Sequence, residues 1–91
     1  MSRDSAQAHV QTLITLLNGQ LAGEIRERLL AECEALIVAI RSFHMEAIRF
    51  RMFNVDRLLA TVEVASDVRA AFAEARRELE AAGFHTRSLS P

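Results

Sequence analysis

No glycine or proline occurs between Gly23 and Gly83, and this uninterrupted stretch most constrains how the chain can fold. The tight turns that join strands depend on such residues. The chain is instead rich in Ala, Leu, Glu and Arg, which are strong helix formers. The sequence therefore predicts an all-α protein, and its 91 residues correspond to one domain, 1–91.

Apolar residues at helical spacing predict a short N-terminal helix, a long central helix and a C-terminal helix. The predicted helices run from about Ser5 to Leu17, from about Glu24 to Val64, and from Asp67 to Ala82. Gly19 is expected to end the first helix in the left-handed conformation. Gly83 is expected to end the last one, with Phe84 folding back on its final turn in a Schellman-type cap. We expect residues 83–91 to form a frayed tail.

The predicted central helix has two apolar faces. One runs from Ile25 through Phe43 to Ala47, and the other, rotated by roughly a quarter turn, runs from Ile48 to Val62. Either this helix has a wide apolar face, which is the interpretation we favour, or it breaks near Asn54. An unbroken helix would be roughly 60 Å long. Since one short chain cannot cover both sides of it, we expect an oligomeric helical bundle, most simply a homodimer.

Charge and composition exclude several classes of protein. The net charge of −1 gives no general attraction to nucleic acid or acidic membranes. The region 41–57 is basic between acidic flanks, which favours antiparallel or intersubunit helix pairing. The basic residues other than His are all Arg, as expected from codon bias in a GC-rich bacterial genome or from selection for bidentate donors at interfaces.

The chain has a single cysteine, Cys33, and no signal-like or membrane-spanning run. These features predict a cytoplasmic protein with no membrane partner.

No catalytic, metal-binding or cofactor-binding pattern occurs in the sequence, so we expect no enzyme and no cofactor. Cys33 and His44 are about three helical turns apart and cannot share a metal ion. Cys33 lies on an apolar face, where a core role is expected. His44 suggests a phosphorelay bundle as one alternative, although Met45 to Arg49 match no phosphotransfer pattern.

Arg49, Phe50, Arg51 and Phe53 are the best candidates for a contact surface, because both phenylalanines lie off the two apolar faces. His44 and Arg51, seven residues apart, are expected to form a polar layer in a helix–helix seam. In that layer Arg51 needs a carboxylate from another helix. The available acids are Glu46, Asp56 and Glu63.

These patterns predict a non-catalytic helical protein–protein interaction module, such as a bacterial regulator, adaptor or chaperone-like protein, that acts as a homo-oligomer. The partner is a second copy or another protein. The alternative is a small dimeric nucleic-acid-binding regulator that uses the Arg41–Arg57 region. Nucleic acid is disfavoured because the four arginines of that region point in four directions on a continuous helix.

Overall fold

Four α-helices and no strand make up residues 3–84, which are the residues described in this computed structural model. The all-α prediction is confirmed. The prediction of three helices is wrong, because the region expected to form one long helix forms two. The helices are α1 (Arg3–Gln20), α2 (Gly23–Arg41), α3 (Met45–Leu59) and α4 (Ser66–Ala81).

The predicted central helix breaks at Phe43, whose φ of 56° is in the left-handed region. The N–H of Phe43 donates to the carbonyl of Ile40 at 3.1 Å, and the N–H of His44 donates to the carbonyl of Ala39 at 3.0 Å. This pair of hydrogen bonds is a Schellman motif, which ends α2. His44 then caps α3, since its Nδ1 accepts from the N–H of Ala47 at 3.2 Å.

A break near Asn54, the alternative from the sequence, is also wrong. Asn54 lies inside α3, is buried, and donates from its amide to Glu32 Oε1 of α2 at 3.2 Å. The two apolar faces belong to two helices that fold back on each other. Their difference in phase therefore reflects the break at Phe43, several residues before the positions where the phase change was expected.

The glycines behave differently at the two ends of the chain. Gly19 lies within α1, which continues to Gln20, so the expected stop at Gly19 is wrong. The left-handed glycine in this region is Gly23, with φ of 74°. Gly23 follows a short link and begins α2, which can then run back along α1.

At the end of α4 the predicted Schellman cap is confirmed. Gly83 has φ of 99°, and the N–H of Phe84 donates to the carbonyl of Leu79 at 2.8 Å. Phe84 is buried, so Gly83 and Phe84 belong to the folded domain and not to a frayed tail. Residues 85–91 of the predicted tail lie outside the described residues.

The helices pack in the order α4, α1, α2, α3. The amide of Gln20 donates to both carboxylate oxygens of Asp67 at 3.1 Å, which holds the end of α1 beside the start of α4. Side chains from all four helices form one core, so each helix has an apolar face covered by its neighbours within the chain. The longest dimension is 32 Å, about half the length of the predicted rod. The argument that a long helix needs a second chain to cover it therefore no longer applies.

Candidate interaction surface

Large hydrophobic side chains that remain exposed are concentrated in one stretch of the chain. In the described part of the chain, all of them lie between residues 38 and 53. They are Val38, Phe43, Met45, Phe50 and Phe53. Phe43 was expected on a core face, but the left-handed turn leaves it more than half exposed, so that prediction is wrong. Phe50 and Phe53 line one shallow pocket together, and neighbouring exposed apolar groups are typical of contact surfaces.

Phe50 and Phe53 lie on the side of α3 that faces away from the core. The inner side is fixed by Ile48, Met52, Val55 and Leu59, which are buried at helical spacing. At 100° per residue, the opposite side presents four residues within an arc of about 60°. We call these residues the outer face of α3: Glu46, Phe50, Phe53 and Arg57.

Charged groups flank the two phenylalanines of the outer face. Glu46 lies one turn before Phe50 and is paired with Arg49 at 3.5 Å, where both side chains are well exposed. An exposed pair of this kind contributes little to stability. Arg57 lies one turn after Phe53 and makes no ion pair with another described residue. The outer face is therefore two aromatic rings with a carboxylate at one end and a guanidinium at the other.

Arg51 lies beside this face, in the seam between α2 and α3. Its Nη1 is 3.0 Å from Glu32 Oε1, and the amide of Asn54 donates to the same oxygen at 3.2 Å. The guanidinium carbon is also 5.0 Å from the centroid of the Phe50 ring. Arg51 thus holds α3 against α2 and packs along one side of an exposed aromatic ring.

The predicted polar layer is only partly correct. Arg51 does lie in a helix–helix seam with a carboxylate partner, but the seam is within one chain. The partner is Glu32, so the three partners expected for Arg51 are wrong. His44 is not in the seam: it is exposed in the link between α2 and α3, with Nδ1 used to cap α3. The break at Phe43 comes just before His44, so a continuous seam from α2 through His44 to Arg51 does not form.

A shallow groove lies between α2 and α3. It encloses about 410 Å³, and its lining is mainly apolar. Residues from both helices and from the link line it: Ala35, Val38, Ala39, His44, Ala47 and Arg51. The sequence analysis did not predict an exposed Val38, although a position opposite Leu36 and Ile40 on a helix indicates a side chain that faces outwards.

Cys33 does not provide a reactive thiol at this surface. It is fully buried in the core, and burial, with smaller contributions from Glu32 and Glu34, raises the pKa of its thiol to about 12. Since the thiolate is the nucleophilic form, a thiol with this pKa is unreactive near neutral pH. The expected core role of Cys33 is confirmed.

Two arginines of the region proposed for nucleic acid, Arg49 and Arg51, are paired with acids. Arg51 contacts Glu32 and Arg49 contacts Glu46, which lowers the positive potential of the region. Among residues 3–84, no group of three potential metal ligands comes together. None of the four described helices has the length and apolar content needed to cross a membrane.

The fold and surface define the class of protein only broadly, as an all-α domain with an exposed aromatic face. No protein-family model, no curated protein and no solved structure matches this chain.

Proposed function

We propose that this chain is a non-catalytic protein–protein interaction module that acts as a homo-oligomer, most simply a dimer, in a regulatory or adaptor role. The observation that carries the proposal is the exposed aromatic pair on α3. Phe50 is 55% exposed and Phe53 is 37% exposed, next to each other on one face of a well-packed helix.

Burial of this pair would provide the driving force for association. Fully burying an exposed large apolar side chain contributes about 1.5–3 kcal/mol. Since each ring is already partly covered, we take about half of that value, or about 1 kcal/mol per ring, from an interface. Aromatic pairs contribute a further ~0.5–1.5 kcal/mol when they stack or meet edge to face. The arrangement thus favours a partner that also presents aromatic side chains.

The test is the double variant Phe50→Ser/Phe53→Ser, measured by light scattering over a range of concentrations. We expect wild-type protein to approach twice 10.2 kDa as its concentration rises, and the variant to remain monomeric. Helix content should be nearly unchanged, because neither ring belongs to the core.

The control is Val38→Ser, which removes a hydrophobic side chain about as exposed as Phe50 from the groove between α2 and α3. We expect it to leave the oligomeric state unchanged. If Val38→Ser abolishes association and the double variant does not, the contact lies in the groove. A wild-type chain that stays monomeric at every concentration would refute the homo-oligomer.

A further inference from the structure

We propose that the outer face of α3 binds the same face of a second copy, with the two α3 helices antiparallel about a twofold axis that passes between residues 51 and 52. This inference rests on the proposed function and deepens it, since it names the contact surface, the partner and the register. The observation behind it is that the outer face is complementary to itself.

The aromatic residues match in this register. A twofold axis between residues 51 and 52 places Phe50 at the level of Phe53 of the partner subunit, and Phe53 at the level of the partner's Phe50. Each pair lies about 2 Å along the helix from the axis, given a rise of 1.5 Å per residue. Antiparallel helices pack about 8–10 Å apart, a separation at which two phenyl rings from facing helices come into contact.

The charges match in the same register. Glu46 and Arg57 lie on the same arc of α3, each about 8 Å along the helix from the proposed axis and on opposite sides of it. Glu46 therefore faces Arg57 of the partner subunit, and the symmetry repeats the pair at the other end. An interface of this kind, in which one patch meets its own copy, is the usual geometry of homodimers.

Other arrangements of two copies lack this match. A parallel pair would place Glu46 against the partner's Glu46 and Arg57 against the partner's Arg57, and like charges that face each other are destabilising. An antiparallel pair shifted by one turn would separate the rings, and neither Glu46 nor Arg57 would face an opposite charge of the partner subunit. The groove between α2 and α3 has a charged group only in Arg51, which already contacts Glu32, so it offers no comparable self-complementarity.

The area of the outer face of α3 limits the affinity that we expect for the dimer. α3 has 15 residues and is about 22 Å long, so a contact through one side of it buries less than the roughly 800 Å² per partner of a standard stable interface. We therefore expect a reversible dimer, which sedimentation equilibrium can follow between micromolar and millimolar concentrations.

Charge reversal tests the register. Glu46→Arg alone places arginines opposite each other at both ends of the interface, and Arg57→Glu alone places glutamates opposite each other. We expect each variant to weaken self-association about tenfold, because two favourable pairs become two unfavourable ones. The double variant Glu46→Arg/Arg57→Glu should recover wild-type self-association.

A mixture of the two single variants, Glu46→Arg and Arg57→Glu, provides a second test. Each subunit of the mixed dimer then meets opposite charges at both ends, so native mass spectrometry should detect mainly the heterodimer. Glu34→Arg, a reversal at an exposed position of α2, is the control and should associate like wild type. The rescue by the double variant also excludes a local effect of the new arginine beside Arg49, since that neighbour is still present.

Failure of this inference can be told from failure of the proposed function. If wild-type protein dimerises but the single reversals have no effect, or the mixture gives no excess of heterodimer, the register and surface proposed here are wrong and the homo-oligomer stands. If wild-type protein never dimerises, both are wrong.

Discussion

Replacing Phe43 by alanine and by glycine separates the backbone strain at the α2–α3 turn from the contacts of the phenyl ring. Both variants lose the same stacking contact, in which the ring lies 5.6 Å from that of Phe84 at an angle of 29°. They differ only at the backbone. Alanine keeps the Cβ atom that disfavours a φ of 56°, whereas glycine adopts this conformation freely.

The expected difference in the free energy of unfolding between Phe43→Gly and Phe43→Ala follows from two opposing effects. A left-handed residue with a Cβ atom costs about 1–2 kcal/mol, which glycine avoids. Glycine also loses about 0.5–1 kcal/mol more than alanine on folding, because its unfolded chain is more flexible. The net expectation is that Phe43→Gly has a free energy of unfolding about 0.5–1 kcal/mol higher than that of Phe43→Ala. Phe43→Ala should be less stable than wild type, because it loses the ring contact and keeps the strained backbone.

Urea unfolding followed by circular dichroism measures this difference. The control pair is wild type against Ala31→Gly, at an exposed position inside α2, where glycine should instead destabilise by about 0.5–1 kcal/mol. The sign of the alanine-to-glycine effect should therefore reverse between positions 31 and 43. If glycine is the less stable residue at both positions, residue 43 is not left-handed and the central region is one helix.

Two further predictions concern the core and the α2–α3 seam. The free energy of unfolding should fall by about 1.4 kcal/mol per pH unit as pH rises above 9.0, where the unfolded Cys33 thiol ionises while the folded thiol, with a pKa raised to about 12, stays protonated. Cys33→Ala should lack this slope, and the chain has no Tyr or Lys whose titration could mask it. Glu32→Ala should lower the free energy of unfolding by about 1–3 kcal/mol in urea, because it leaves the buried amide of Asn54 and the guanidinium of Arg51 without their shared acceptor. Asn54→Ala, which leaves the Glu32–Arg51 pair intact, should cost less, and an equal or larger loss would contradict this account.

The parts of the fold that follow from local chemistry could be predicted from the sequence. The cap at Gly83 and Phe84 uses a glycine in the position that requires a left-handed residue, followed by an apolar residue that packs on the last turn. The start of α4 was expected at Asp67 and occurs at Ser66. Gly19 shows the limit of the same rule, because a glycine near the end of a helical pattern can also lie within the helix.

The break between α2 and α3 could not be predicted in this way. Phe43 is not a residue that usually adopts a left-handed conformation, and His44 is not among the preferred N-caps. Part of what stabilises the turn comes from a distant part of the chain, since Phe84 stacks on the Phe43 ring. The local preference for a continuous helix is thus overcome by tertiary packing. The change of phase between the apolar faces was the only local signal, and it did not locate the break.

At the candidate surface, the predictions were correct for residues whose environment depends on a single helix, and wrong where it depends on how two helices pack. Phe50 and Phe53 were correctly expected to lie off the core faces, because their spacing from the apolar positions of α3 does not depend on where the helix begins. The partner of Arg51 was missed, because Glu32 approaches it only after the chain folds back at Phe43.

The fold also changes the physical reason for expecting association. A long rod with uncovered apolar faces would need its partner in order to fold, so its stability would depend strongly on protein concentration. Here α2 folds back on α1 and α3 on α2, and the core is covered within one chain. Any dimer formed through the outer face of α3 joins subunits that are already folded. Thermal unfolding should then be nearly independent of concentration below the dissociation constant of the dimer, and a strong dependence in that range would show that the monomer is not the folded unit.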